Sequence, residues 1–148
     1  ETDFGQWEGA APSSESAPAP APGSAPAAKV PPGLSQLLAD GEKRLRTEDI
    51  LGARDAFEAA LRIDPGNTTA MAGMGAIEMD QRNYGSAARW LKDASTREPD
   101  NARHHLLLCE ARYRLGDEGG ARTSCRRVLQ LEPDNSDAKL MLRSLHPR

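Results

Sequence analysis

The sequence predicts an all-α fold: a right-handed α-solenoid of three antiparallel helix pairs plus a capping helix, behind a disordered Pro/Ala-rich N-terminal tether. Three observations predict it. Pro65, Pro99 and Pro133 recur 34 residues apart, in the tetrapeptides Asp64-Pro65-Gly66-Asn67, Glu98-Pro99-Asp100-Asn101 and Glu132-Pro133-Asp134-Asn135. A fixed period of this size marks stacked supersecondary units. From residue 34 onward the apolar residues are spaced near 3.6, and no stretch alternates with the period of a strand. Residues 10–33 hold seven of the eleven prolines, with eight alanines and four serines. Such a composition cannot offset the entropy of ordering.

Residues 1–9 carry Phe4 and Trp7 in a segment too short to bury them. The segment reads as the frayed end of a preceding element, as a short docking motif, or as inert. The Pro/Ala stretch to Gly33 reads as a semi-rigid tether. Helices are expected at about 34–46, 49–63, 68–81, 84–97, 102–115, 118–131 and 136–145. Proline disfavours a helical residue before it and cannot continue a helix, and Asn two residues later can cap the next one. The tetrapeptides therefore separate repeats at about 34–67, 68–101 and 102–135, with a cap helix over 136–145, in a domain of residues 34–148.

Small residues recur in phase. Gly41, Gly75 and Cys109 fall at one point of the first helix of each pair, and Ala53, Ala87 and Ala121 at one point of the second. Ala60, Ala94 and Val128 follow one face-turn later. Small side chains let two helices approach and interdigitate. Larger residues recur where the gap needs filling: Leu37, Met71 and His105, then Phe57, Leu91 and Cys125.

The net charge of −3 lies in the first 33 residues, where Glu1, Asp3, Glu8 and Glu15 face only Lys29. Residues 34–148 carry 18 basic and 18 acidic side chains. That balance gives no electrostatic case for nucleic acid or an anionic membrane. No apolar run reaches membrane-spanning length. The chain starts at Glu1 rather than Met and reads as a fragment or a processed form. Cys109 and Cys125 read as small buried core residues. A disulfide between facing helices in an oxidising compartment, and a His105–Cys109 metal pair, are the alternatives.

No constellation for catalysis is present. His104 and His105 sit on a helix, His105 on its packing face, without a nucleophile partner. No phosphate loop follows a strand and no GxSxG occurs. The expectation is no enzyme, no cofactor and no metal.

Gly41, Ala53, Phe57, Ala60 and Pro65, and then Gly75, Tyr84, Ala87, Leu91, Ala94 and Pro99, are similar to the tetratricopeptide repeat motif. The third copy keeps Leu108, Tyr113, Gly116, Asp117, Ala121 and Pro133. The resemblance covers residues 34 to about 145. Asp40 and Arg44 depart from it where the first copy should carry Leu and Tyr, which predicts loose packing of the first helix.

The resemblance implies a concave groove lined by the first helix of each pair. Its residues would be Leu38, Glu42, Leu45 and Arg46; Ala72, Ala76, Met79 and Asp80; and Arg103, Leu106, Glu110, Tyr113 and Arg114. Leu140 would extend the row. Ala72, Gly73 and Ala76 are expected to leave the middle roomy for a bulky anchor. Family members that grip the C-terminus of heat-shock chaperones use a basic and amide-bearing clamp. Here the matching places hold Leu38, Glu42, Gly73, Leu107 and a single basic residue, Arg103, which argues against that role.

The expected function is a non-enzymatic protein–protein interaction module, a scaffold or adaptor within a larger bacterial protein, binding a peptide or helix of a partner. The alternatives are a self-assembly domain, or a groove regulated by the chain's own Phe4/Trp7 segment. Nucleic acid and direct membrane insertion are not expected. Localisation is open, with the cytoplasm favoured over the periplasm.

Overall fold

The computed structural model describes residues 33–145. The expected disordered tether, the aromatic segment 1–9 and His146 lie outside them. Seven helices follow one another: α1 (Leu34–Arg46), α2 (Ile50–Ile63), α3 (Thr68–Asp80), α4 (Tyr84–Arg97), α5 (Ala102–Leu115), α6 (Glu118–Leu131) and α7 (Ser136–Ser144). No strand occurs among the described residues. α1–α2, α3–α4 and α5–α6 form antiparallel pairs that stack into a solenoid, and α7 closes the C-terminal end against α5 and α6.

The 34-residue period is written into the turns. Within each pair the first helix ends in the same hydrogen-bonded reversal. The amides of Asp49, Asn83 and Asp117 reach back to the carbonyls of Arg44, Glu78 and Arg112 at 2.9, 2.8 and 2.9 Å. The residue before each of them, Glu48, Arg82 or Gly116, takes a positive φ of 60°, 61° or 87°. Only the third copy supplies glycine, the residue that adopts this conformation without steric cost. Asp49 and Asp117 then cap the following helix by accepting from the amides of Gly52 and Gly120.

Between pairs, the tetrapeptide asparagines behave as expected at two of three joints. Asn67 and Asn135 accept from the amides of Ala70 and Ala138, both at 3.0 Å. Asn101 makes no side-chain cap bond. In all three tetrapeptides the Asn amide group donates to the acidic residue that opens it, Asp64, Glu98 or Glu132.

The core is a chain of contacts between small and large residues. A Cβ added to Gly41 would come within 2.7 Å of the Phe57 ring, and one added to Gly75 within 2.6 Å of Leu91. Only hydrogen fits at these points, so the helices of each pair can close onto a large side chain. The third pair differs. Cys109 and Cys125 occupy the same two positions and form a disulfide, with a Cα–Cα distance of 5.4 Å. Both residues are buried, as read from sequence, but as the disulfide that stood there as the alternative. Residues placed to touch become residues placed to bond. Neither sulfur remains to ligate a metal with His105.

In α1, Arg44 donates to Asp40 and to Asp49, each at 2.8 Å, a partly exposed polar clip where the motif carries an apolar pair, and only Leu34 and Gly41 of the helix are buried. One further expectation changes. The histidines exchange roles. His104 is buried at 4% exposure, and His105 turns outward to lie 2.8 Å from the Pro99 carbonyl through Nε2.

Candidate functional groove

The first helices of the pairs, α1, α3 and α5, stand side by side and form a groove of about 180 Å³. α1 contributes Glu42 and Leu45 to it, and α3 contributes Thr69, Ala72, Gly73 and Ala76. Asn101 precedes α5, which adds Arg103, His104 and Leu107. Phe57, fully buried, forms the floor. The helical period places these residues. Glu42 and Leu45 are three apart, and Thr69, Ala72, Gly73 and Ala76 follow one stripe of α3.

The floor corrects one expectation. Gly73 does not leave room for a partner's anchor, because the ring of Phe57 already uses that room. A Cβ at Gly73 would come within 2.5 Å of the ring. Gly41 and Gly73 thus receive the same aromatic side chain from two sides. The open part of the groove lies over Ala72 and Ala76, which remain half-buried.

Of the residues named from sequence, Glu42, Leu45, Ala72, Ala76 and Arg103 line this groove together. Leu38 and Leu45 also pack on the core cluster around Phe57 and Met74, and Ala72 and Met79 on the one around Leu91 and Leu108. Leu106 packs on the C-terminal cluster with Cys109 and Ala138. These apolar residues therefore join neighbouring units as well as facing outward. Arg46, Asp80, Tyr113 and Arg114 are exposed outside the groove lining, and Glu110 is held by Arg114 at 3.2 Å. Leu140 on α7 is 64% exposed. Thr69, Asn101 and His104 line the groove without having been assigned to it from sequence. Thr69 sits three residues before Ala72 on the same stripe, which was the available signal.

The polar groups give the groove a sense. Glu42 carries negative charge on α1 and Arg103 positive charge on α5, with an apolar centre between. Beneath Arg103, burial pushes the pKa of His104 down, against an upward pull from Glu98. Its Nδ1 has no hydrogen-bond partner among the described residues and lies 3.7 Å from the Glu98 carboxylate. Glu98 is held below its ordinary pKa by hydrogen bonds from Thr68 and then Asn101. The described residues contain no group of three or more His, Cys, Asp or Glu able to hold a metal ion, and no helix long and apolar enough to cross a membrane.

The sequence model of the tetratricopeptide repeat matches residues 44–109. The first repeat domain of Spaghetti (RPAP3), bound to an HSP90 peptide, superposes over 77% of this chain and 90% of that one, with a TM-score of 0.74 at 21% identity. The repeats of residues 44–109 are tetratricopeptide repeats. An O-GlcNAc transferase of Thermobaculum terrenum gives a TM-score of 0.74 at 27% identity, over 79% of this chain and 22% of that one. In sequence, the Arabidopsis thaliana protein CTR9 homolog is 32% identical over 111 residues, 73% of this chain. The chain spans only 10% of that relative's length.

Proposed function

We propose that the chain is a non-enzymatic protein–protein interaction module whose concave groove binds a peptide or helical segment of a partner. The observation that carries this reading is the continuity of the groove across three repeats, with a half-open apolar centre between Glu42 and Arg103. Such a surface suits a segment with an apolar anchor over Ala72 and Ala76 and an acidic residue beside Arg103. The binding of an HSP90 peptide by a protein of the same fold supports a peptide as the kind of ligand. The groove itself argues against that particular peptide. Gly73 is occupied from below by Phe57, Leu107 is apolar, and Glu42 would repel a carboxylate.

We extend this reading to a scaffold or adaptor role in a larger bacterial protein. The Cys109–Cys125 bond favours an oxidising compartment over the cytosol, where disulfides are rare. Selection of a random peptide library on the chain tests the groove. Wild type should enrich an apolar anchor flanked by an acidic residue. Arg103→Ala should lose the acidic preference, and Ala76→Arg should enrich nothing. Enrichment of the same peptides by Ala76→Arg would refute the groove.

A further inference from the structure

A second cleft, of about 490 Å³, opens where α4 and α6 flank α5, and it shares no lining residue with the groove. Four permanent cations line it: Lys92, Arg112, Arg126 and Arg127. No Asp or Glu does, although residues 34–148 as a whole are balanced in charge. The hydroxyl residues Ser95, Thr123 and Ser124 and the outward-turned His105 complete its polar wall.

The cations divide into a fixed pair and a free pair. Arg112 donates to the Gly120 carbonyl at 3.2 Å and to the Ser124 hydroxyl at 3.0 Å, and lies 3.8 Å from Asp117. Arg127 donates to the Pro99 carbonyl, to Asp100 at 2.9 Å and to Gln130. Their guanidinium groups are thus held in place before any ligand arrives. Lys92 and Arg126 are exposed, and no described carboxylate pairs with either.

We propose that this cleft is an anion site that receives a phosphate monoester displayed on a peptide. Asp117 and Asp100 offset two of the four cations, leaving two positive charges uncompensated. A phosphate monoester near its dianionic form matches that excess, whereas a single carboxylate matches half of it. Guanidinium and ammonium groups are the donors that recognise phosphate oxygens here, since the Ser95 and Thr123 hydroxyls already donate to the Lys92 and Gly119 carbonyls. The free pair makes the contacts and the fixed pair supplies the field. A peptide is the expected carrier because the cleft, flanked by the second helices of successive repeats, is open to solvent and does not enclose its ligand.

The test is an amide-resolved NMR titration of the full chain with the neutral-flanked peptide Ala-Ala-phosphoserine-Ala-Ala. Shifts should fall on residues 92–95, 105–112 and 123–130. The unphosphorylated peptide should produce none, and added salt should weaken binding. Lys92→Ala with Arg126→Ala, both exposed and away from the core, should lower affinity about tenfold or more. Ala76→Arg in the concave groove should leave it unchanged, so this site and the groove fail separately. The proposal is overturned if the double variant binds equally, if the serine peptide binds equally, or if the shifts lie elsewhere. It is also overturned if inorganic phosphate binds the cleft as tightly as the phosphopeptide. Binding of phosphatidylserine vesicles without the phosphopeptide would assign the cleft to a membrane instead. Movement of the same amides on deleting residues 1–15 alone would make the chain's own acidic segment the occupant.

Discussion

Reduction of the Cys109–Cys125 bond is the perturbation with the largest expected effect on the solenoid. The bond joins α5 to α6 across 16 residues of sequence. Opening a loop of that size returns about 3 kcal/mol of chain entropy to the unfolded state. A second cost adds to it. Two thiols would have to pack where the other repeats hold a glycine against Phe57 or Leu91, and overpacking a core typically costs about 1–3 kcal/mol. The two together come to about 4–6 kcal/mol, and for a domain of this size such a loss lowers Tm by roughly 15–25 °C. In a repeat array the loss should begin locally, in α5, α6 and α7, because each unit leans mainly on its neighbours. Thermal unfolding followed by circular dichroism, with and without reductant, measures it, and hydrogen exchange locates it. The combination Cys109→Gly with Cys125→Leu copies the contact of Gly75 with Leu91. It should ignore reductant and recover part of the stability. An unchanged Tm in reductant, with both thiols shown to be free, would refute the reasoning.

Two other outcomes follow from the same coordinates. Gly73→Ala should cost about 1–3 kcal/mol in urea unfolding, because its Cβ would meet the fully buried Phe57 ring at 2.5 Å; Gly85→Ala, with nothing within 4 Å, should cost none. Stability should also fall as pH drops below about 6.5, where an unfolded histidine begins to take up protons. Burial lowers the folded pKa of His104, so its contribution is complete above the unfolded value and is lost as pH falls through the folded one. Glu98, Arg103 and His105 are the charged groups acting on it. His104→Gln should flatten this slope in denaturation measured between pH 7 and 5.

The helices were legible because two independent signals agreed on them. The 3.6 spacing gave the helix interiors, and the proline period gave the joints. The naming of Glu42, Leu45, Ala72, Ala76 and Arg103 as groove residues came from the family resemblance, aligned on the same phase. What escaped was decided by contacts between elements. Cys109 and Cys125 stood at the positions of Gly41 with Phe57 and of Gly75 with Leu91, but period alone does not say that two phased residues touch. Gly73 looked like open space because the ring filling it comes from another helix. His104 and His105 are adjacent, so a modest rotation of α5 decides which is buried. The outer cleft draws on three helices and two repeats, and no single-repeat pattern contains it.

The ring of Phe57 belongs by sequence to the first repeat, yet it rests between Gly41 of that repeat and Gly73 of the next. The unit of sequence and the unit of packing are therefore out of register. Anyone shuffling modules would naturally cut at Pro65, where the chain turns. Such a cut would keep the aromatic plug with α1 and α2 and discard half of its socket. The interchangeable part begins within a repeat, and an exchanged α3 must bring a glycine at the position of Gly73.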